Sequence, residues 1–209
     1  MDNEKNDVEL DGAEIFSDWE TLVGAADGPK KNDIDALNLD NLMMGGDETH
    51  WLQLFQKTNL LGMDLIALKA VPNYVHDFKA EQTQLKAQSY LFLVGLVQTH
   101  ANELRVAGLS EDQIDNLNKG ILPINWTVHL KYPVSYGGVI SANNLVLMPH
   151  QPFHEELHHF LNRQLVTDAG VITPPVLYVP VPKSAVYVPF NSSEMPSSVI
   201  HFEPAGGSK

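Results

Sequence analysis

The spacing of apolar positions divides the chain into a helical half and an extended half. Over residues 51–68 apolar side chains recur at mixed three- and four-residue spacing, which predicts one or two short helices that end before Pro72. Over residues 81–109 the pattern predicts the longest helix. Its middle is apolar on nearly every side, as is typical of a central core helix. Ser110 and Gln113 form a capping-box pattern that opens a further short helix.

The pattern changes after residue 120, where valine, tyrosine, proline and glycine become frequent. Residues 127–132 and 144–148 have the composition of short strands, and Gly137 and Gly138 mark the loop between them. Residues 152–163 predict a helix, with a proline near its start and two glutamates in its first turn. The predicted order is therefore strand, glycine loop, strand, helix.

These elements predict an α+β fold: a mainly helical N-terminal part packed on a small ββα unit, followed by a proline-rich extended C-terminal segment. We expect four segments. They are an acidic, flexible segment (1–48), a helical part (49–120), the ββα unit (121–165) and the extended segment (166–209). Proline cannot donate to a sheet ladder, so the last segment is expected at an edge and not at the centre of a sheet.

The negative charge lies almost entirely at the N-terminus. The net charge is −13; residues 1–50 hold 14 acidic and 3 basic side chains, and residues 51–209 hold 12 and 10. An acidic chain is a poor partner for nucleic acid, whose binding depends on lysine and arginine. A nucleic-acid function therefore requires the N-terminal segment to be separable. That segment is either a flexible tail, or an arm that masks a basic groove or docks on a partner.

The sequence predicts a protein that does not enter a membrane. The first residues have neither the basic start nor the apolar run of a signal peptide. The most apolar stretch, residues 90–97, is far shorter than the roughly 20 residues that cross a bilayer. We expect a soluble protein that acts in the cytoplasm or after delivery into a target cell.

Histidine is concentrated in the ββα unit. The chain has nine histidines, and five of them are His129, His150, His154, His158 and His159. Since there is no cysteine, a metal would have to be held by His, Asp, Glu or Asn. His154 and His158 are four residues apart, on one face of the predicted helix, and His129 on the first strand would add a third ligand. His159 points about 100° away from His158 and is expected at the surface or the core edge.

The segment from Trp126 to His158 resembles the ββα-metal (His-Me) finger of HNH nucleases, in particular the DNase domains of colicin-type and polymorphic bacterial toxins. It covers about 35 of the 209 residues. The residues that carry the resemblance, in chain order, are Val128-His129, Pro133, Gly137-Gly138, Asn144-Leu145-Val146-Leu147 and His154-x-x-x-His158.

The resemblance implies roles for four of these side chains. His129 and His154 would hold a divalent metal, with Mg, Mn, Ni or Zn as candidates. His158 would be a third ligand or a contact to the scissile phosphate. Asn144 would be part of the catalytic site, where its side chain would hydrogen-bond across the loop and hold the finger in shape.

Leu130 departs from the family pattern. At its position the family has a second histidine, and the resemblance implies that this histidine acts as the general base. Leucine cannot accept a proton, and loss of a general base typically lowers a rate by about 10²–10⁴-fold. Three explanations are open. The chain is an inactive variant, it uses another base such as His129 or His150, or it is a natural pseudo-nuclease.

The function implied by the resemblance is a metal-dependent endonuclease, with DNA preferred over RNA, acting as a bacterial toxin. Lys131, His158 and Arg163 would contact the substrate phosphates, and a cognate immunity protein would be a natural partner. The alternatives are a non-catalytic metal- or nucleic-acid-binding pseudo-nuclease, and a protein-interaction module that uses the acidic N-terminal segment.

Overall fold

A computed structural model describes residues 47–167, 170–189 and 195–202. The predicted acidic segment, residues 1–48, lies almost entirely outside this range. The helices and strands, in chain order, are α1 (Glu48–Phe55), β1 (Met63–Lys69), α2 (Phe78–Thr99), α3 (Ala101–Val106), α4 (Glu111–Leu117), β2 (Trp126–Leu130), β3 (Leu145–Pro149), α5 (Glu155–Leu165), β4 (Val166–Thr167), β5 (Gly170–Val171), β6 (Val176–Pro182) and β7 (Val199–Phe202). The predicted α+β class is confirmed.

A three-stranded sheet in the order β6-β1-β7 has β1 at its centre. Strand β6 pairs with β1 antiparallel over its whole length, and β7 pairs parallel to it. The helix predicted over residues 63–68 is wrong, because these residues belong to strand β1. Both partners of β1 come from more than 100 residues later, and the strand is buried on both faces. It therefore lacks the alternation by which a half-buried strand is found in a sequence.

The long helix predicted over residues 81–109 is divided at His100 into α2 and α3. The prediction that its middle is a buried core helix is wrong, because Tyr90 and Leu91 are 50% and 56% exposed. One face packs into the protein through Leu85, Phe92, Leu93 and Leu96. The predicted capping box is present: the Ser110 hydroxyl accepts the Gln113 N–H, and the Gln113 side chain accepts the Ser110 N–H.

Strands β2 and β3 form an antiparallel hairpin, and the turn His150–His154 leads from it into α5. The predicted order of strand, loop, strand and helix is present, with bounds shifted by one to three residues. Within the described ranges, no helix combines the length and the apolar character that crossing a bilayer requires.

The β2–β3 hairpin separates two hydrophobic cores. The first core lies among α1, the three-stranded sheet and α5, and takes Val146 and Met148 from the hairpin. The second lies beneath α2, α3 and α4, and takes Val128, Leu130, Leu145 and Leu147. Because successive side chains of a strand point to opposite faces, each strand contributes to both environments. We call the two sides of the hairpin the α5 face and the α2 face.

Candidate metal centre

Three histidines converge between the hairpin and α5. His129 comes from β2, next to Val146 of β3 in the ladder. His154 is the last residue of the turn before α5, and His158 follows it by one helical turn. Their exposed fractions are 9%, 2% and 8%, so the group is enclosed by the protein. Within the described ranges, it is the one group of three or more potential ligand residues whose ligand atoms lie close enough together to hold a metal ion.

The ring nitrogens are spaced as a small cation requires. Nε2 of His154 lies 3.3 Å from Nδ1 of His129 and 3.0 Å from Nε2 of His158. The three ligand atoms all lie within 4.8 Å of one another. Zinc–nitrogen bonds of about 2.0–2.1 Å at tetrahedral angles place neighbouring nitrogens about 3.3 Å apart. One cation could therefore contact all three nitrogens with little rearrangement.

Hydrogen bonds among the rings do not account for the arrangement. A nitrogen of a neutral imidazole carries either one hydrogen or one lone pair. Nε2 of His154 faces a nitrogen of His129 and a nitrogen of His158 at once, so it can serve only one of them well. A cation would accept the lone pairs of all three. The donor set thus fits a metal better than it fits a self-contained hydrogen-bonded cluster.

The electrostatic environment keeps the three rings neutral. Burial, reinforced by the neighbouring histidines, lowers the pKa of His129 well below its ordinary value. The same causes lower the pKa of His154 to about 3 and that of His158 to about 4. Neutral imidazole is the form that binds metals, so at pH 7 little free energy is spent on removing protons.

Asn144 closes the loop between the strands, as the resemblance predicts. Its Oδ1 accepts the N–H of Tyr132 at 2.9 Å, and its Nδ2 donates to the carbonyl oxygens of Tyr132 and Val139 at 2.8 and 3.0 Å. The side chain is buried. Asn144 therefore fixes the ends of the loop that follows the His129 strand, and within the described ranges it makes no hydrogen bond to the histidines.

Leu130 lies on the α2 face of the hairpin, opposite His129. It is 6% exposed and packs in the core that contains Val128 and Leu145. Because strand neighbours point to opposite faces, the structure does not bring Leu130 together with the histidines. The residue expected at a general-base position is part of a hydrophobic core.

His150 lies close to the histidine group, and Lys131 directly follows the strand that carries His129. The ring of His150, half-buried, has its centroid 5.3 Å from that of His154, and its Nδ1 is 3.8 Å from a Glu155 carboxylate oxygen. Lys131 follows β2 and continues its ladder, since its N–H donates to the carbonyl oxygen of Asn144. Lys131 is half-buried, and burial lowers its pKa.

Arg163 is not brought to the histidines. It is exposed and lines a cavity of about 250 Å³ between α1 and α5, with Leu54, Lys57, Thr58, Glu156, His159 and Phe160. This cavity lies on a different side of α5 from His154 and His158. His159 is exposed on that same side, as its helical position predicts.

Asn162 of α5 is a polar residue near the cluster in sequence that is not among the predicted site residues. Asn162 follows His158 by four residues, and its Oδ1 is buried without a hydrogen-bond partner among the described residues. The available signal was the continuation of the spacing His154, His158, Asn162 along one helical stripe.

Comparisons with known proteins assign neither a family nor an activity. No protein-family model matches the sequence, and no solved structure matches the chain significantly. The chain is similar to the uncharacterized protein YhhZ of Escherichia coli (strain K12), with 27% identity over 103 residues. The match covers 48% of this chain and 25% of YhhZ, so the chain spans about a quarter of that relative's length.

Proposed function

We propose that His129, His154 and His158 bind one divalent metal ion and that this centre hydrolyses phosphodiester bonds of nucleic acid, DNA in preference to RNA. The observation that carries the proposal is the convergence of three buried, neutral imidazoles on one point of a ββα unit. With three protein ligands, a fourth coordination position is open to substrate.

The donor set favours some metals over others. Imidazole suits zinc, nickel, copper and iron, whereas magnesium prefers oxygen ligands and retains several waters. Zinc and nickel are therefore the preferred occupants, manganese is weaker, and magnesium fits poorly. When bound, the metal would supply Lewis-acid polarisation of a phosphoryl oxygen.

The protein contributes position and charge around this centre. Asn144 fixes the two ends of the loop that follows the His129 strand through three hydrogen bonds, to Tyr132 and Val139. Lys131 has no acidic partner among the described residues and is partly removed from water, which favours binding of an anion such as a substrate phosphate. His150, beside His154, is the nearest further imidazole for handling a proton. A toxin role and an immunity-protein partner remain part of the proposal by resemblance.

A second candidate is a structural metal site without catalysis. It is favoured by the burial of all three ligand residues, of which the most exposed retains 9% of its surface. It is favoured too by Leu130, which fills a core position and supplies no base. A structural site predicts the same metal binding with no cleavage.

The two candidates are separated by measuring binding and cleavage on the same samples. The metal-free chain is titrated with Zn²⁺, Ni²⁺, Mn²⁺ and Mg²⁺, and each form is incubated with supercoiled plasmid and with RNA. His154→Ala is the test variant. His159→Ala is the matched control, because it changes an exposed histidine on the other side of the same helix. We expect one metal per chain and cleavage that is lost in His154→Ala and retained in His159→Ala.

The outcomes assign the function unambiguously. Binding without cleavage of either nucleic acid overturns the nuclease and supports the structural site. Failure of all four metals to bind overturns both candidates. Cleavage that persists in His154→Ala would place the chemistry elsewhere in the chain.

A further inference from the structure

Asn162 contains a buried acceptor oxygen without a hydrogen-bond donor among the described residues. Its side chain is half-buried, but its Oδ1 is fully enclosed and has no hydrogen-bond donor within the described ranges. Among the described residues, the one other buried side-chain nitrogen or oxygen without a hydrogen-bond partner is Oγ of Ser89, in α2. Buried polar atoms are almost always paired, because losing water without a replacement is destabilising. An exception calls for a specific explanation.

The position of Asn162 relates it to the metal centre. Residues four apart on a helix are neighbours, and helical side chains lean toward the N-terminus of the helix. The Asn162 amide therefore leans toward the turn that carries His158. Asn162 is the residue of α5 that stands four positions after His158.

His158 has a second ring nitrogen, Nδ1, that its contact with His154 does not use. Its Nε2 is directed at His154, 3.0 Å away. No hydrogen bond to a described residue involves its Nδ1. If Nε2 binds a metal, the neutral ring must carry its proton on Nδ1. Metal-binding histidines almost always donate that second N–H to a carboxylate, a carbonyl oxygen or a water, which fixes the tautomer and orients the ring.

We propose that Asn162 is a positioning residue of the metal centre, whose Oδ1 accepts the Nδ1–H of His158 and thereby directs Nε2 at the metal. This inference rests on the proposed metal site. It assigns the unpaired oxygen a role in metal binding: the hydrogen bond becomes important when metal at Nε2 confines the proton to Nδ1.

A role of this kind gives stability and metal affinity opposite responses to one substitution. Asn162→Leu keeps the approximate size of the side chain and removes an unpaired buried oxygen, so the metal-free protein keeps or gains thermal stability. The same change removes the acceptor for His158, so zinc affinity falls about 10–100-fold. A side chain that only helped α5 to pack would lower both quantities together.

The test measures Zn²⁺ affinity by competition with a chromophoric chelator, and the melting temperature of the chelator-treated protein, for four chains. These are wild type, Asn162→Leu, Asn162→Asp and Ser89→Ala. Asn162→Asp retains an acceptor oxygen and is expected to bind Zn²⁺ at least as tightly as wild type. Ser89→Ala removes the other unpaired oxygen, far from the centre in sequence and in the second core, and is expected to leave Zn²⁺ affinity unchanged.

The results separate this inference from the proposed function. Zn²⁺ affinity of Asn162→Leu within twofold of wild type, or an Asn162→Asp chain that binds as weakly as Asn162→Leu, overturns the role of Asn162 alone. A wild-type chain that binds no Zn²⁺ overturns the metal centre and this role with it.

Discussion

The two faces of the β2–β3 hairpin are both buried but differ in chemistry. The α2 face carries Val128, Leu130, Leu145 and Leu147 against helices α2 to α4. The α5 face carries His129 opposite His154 and His158, together with Val146, the ladder partner of His129, and Met148. Burial alone therefore does not distinguish a site from a core. The difference lies in the buried side chains: those of the α2 face are aliphatic, whereas imidazole nitrogens of the α5 face have lone pairs that can bind a metal.

Adjacent residues on β2 show this most sharply. His129 and Leu130 are 9% and 6% exposed, yet they belong to different environments because strand side chains alternate. At position 130, where the resemblance implies a general base, the side chain therefore belongs to the hydrophobic core of the α2 face. The proposed hydrolysis therefore requires a proton acceptor on the α5 face, where the histidines lie.

The largest expected effect is on metal binding when the α5 face is altered. His154→Ala removes the nitrogen that lies between the other two and should weaken Zn²⁺ binding by more than about 100-fold, the upper range for loss of an outer hydrogen-bond partner. Isothermal titration against His159→Ala is the measurement. Equal affinities in the two variants would contradict the site.

Acid should destabilise the metal-free protein through the α5 face. A histidine whose folded pKa is lowered binds protons more readily when unfolded, so its stabilisation is fully present above the unfolded pKa of about 6.5 and is lost as the pH falls. For His154 and His158 the loss continues down to their folded pKa values of about 3 and about 4. Urea unfolding in the presence of a chelator, from pH 7 to pH 4, should show a steady decrease.

The control for the acid experiment is His158→Leu, which removes one of these titrating groups. It should reduce the dependence of unfolding free energy on pH over the same interval. An identical slope in wild type and His158→Leu would show that the acid sensitivity originates elsewhere.

On the α2 face, Leu130→His should disrupt the core without creating activity. It replaces a packed leucine and encloses an imidazole without a provided partner, and we expect a loss of about 3 kcal/mol or more. His129→Leu is its mirror on the α5 face and should leave the metal-free stability within about 1 kcal/mol while eliminating tight metal binding. Denaturant unfolding and plasmid cleavage test the pair. Cleavage that rises in Leu130→His would contradict the assignment of faces.

The smallest of these effects concerns the loop that spans the hairpin. Asn144→Ala leaves two carbonyl groups and one N–H without their partner, which should cost about 2 kcal/mol in unfolding free energy. Its metal-free protein should retain the histidine group, so Zn²⁺ affinity should fall much less than in His154→Ala. A loss of affinity as large as that of His154→Ala would make Asn144 part of the centre itself.

The sequence was most informative where interactions are local. The capping box at Ser110, the order of strand, loop, strand and helix, and the His154–His158 pair all depend on spacings of three or four residues, or on one turn. Strand β1 was mistaken for helix because its partners lie far away in the chain and both of its faces are buried. The packing of Leu130 in the core of the α2 face was not predicted, because it depends on helices α2 to α4, which lie elsewhere in the chain.

The most direct measurement of the central claim is the X-ray absorption spectrum of the Zn²⁺-loaded chain at the zinc edge. In wild type and in His159→Ala we predict three imidazole nitrogens at about 2.0–2.1 Å and one oxygen ligand, such as water. In His154→Ala one imidazole should be lost from the coordination shell or the zinc should not be retained. A wild-type spectrum dominated by oxygen ligands, or one that His154→Ala leaves unchanged, would contradict a metal centre built from His129, His154 and His158.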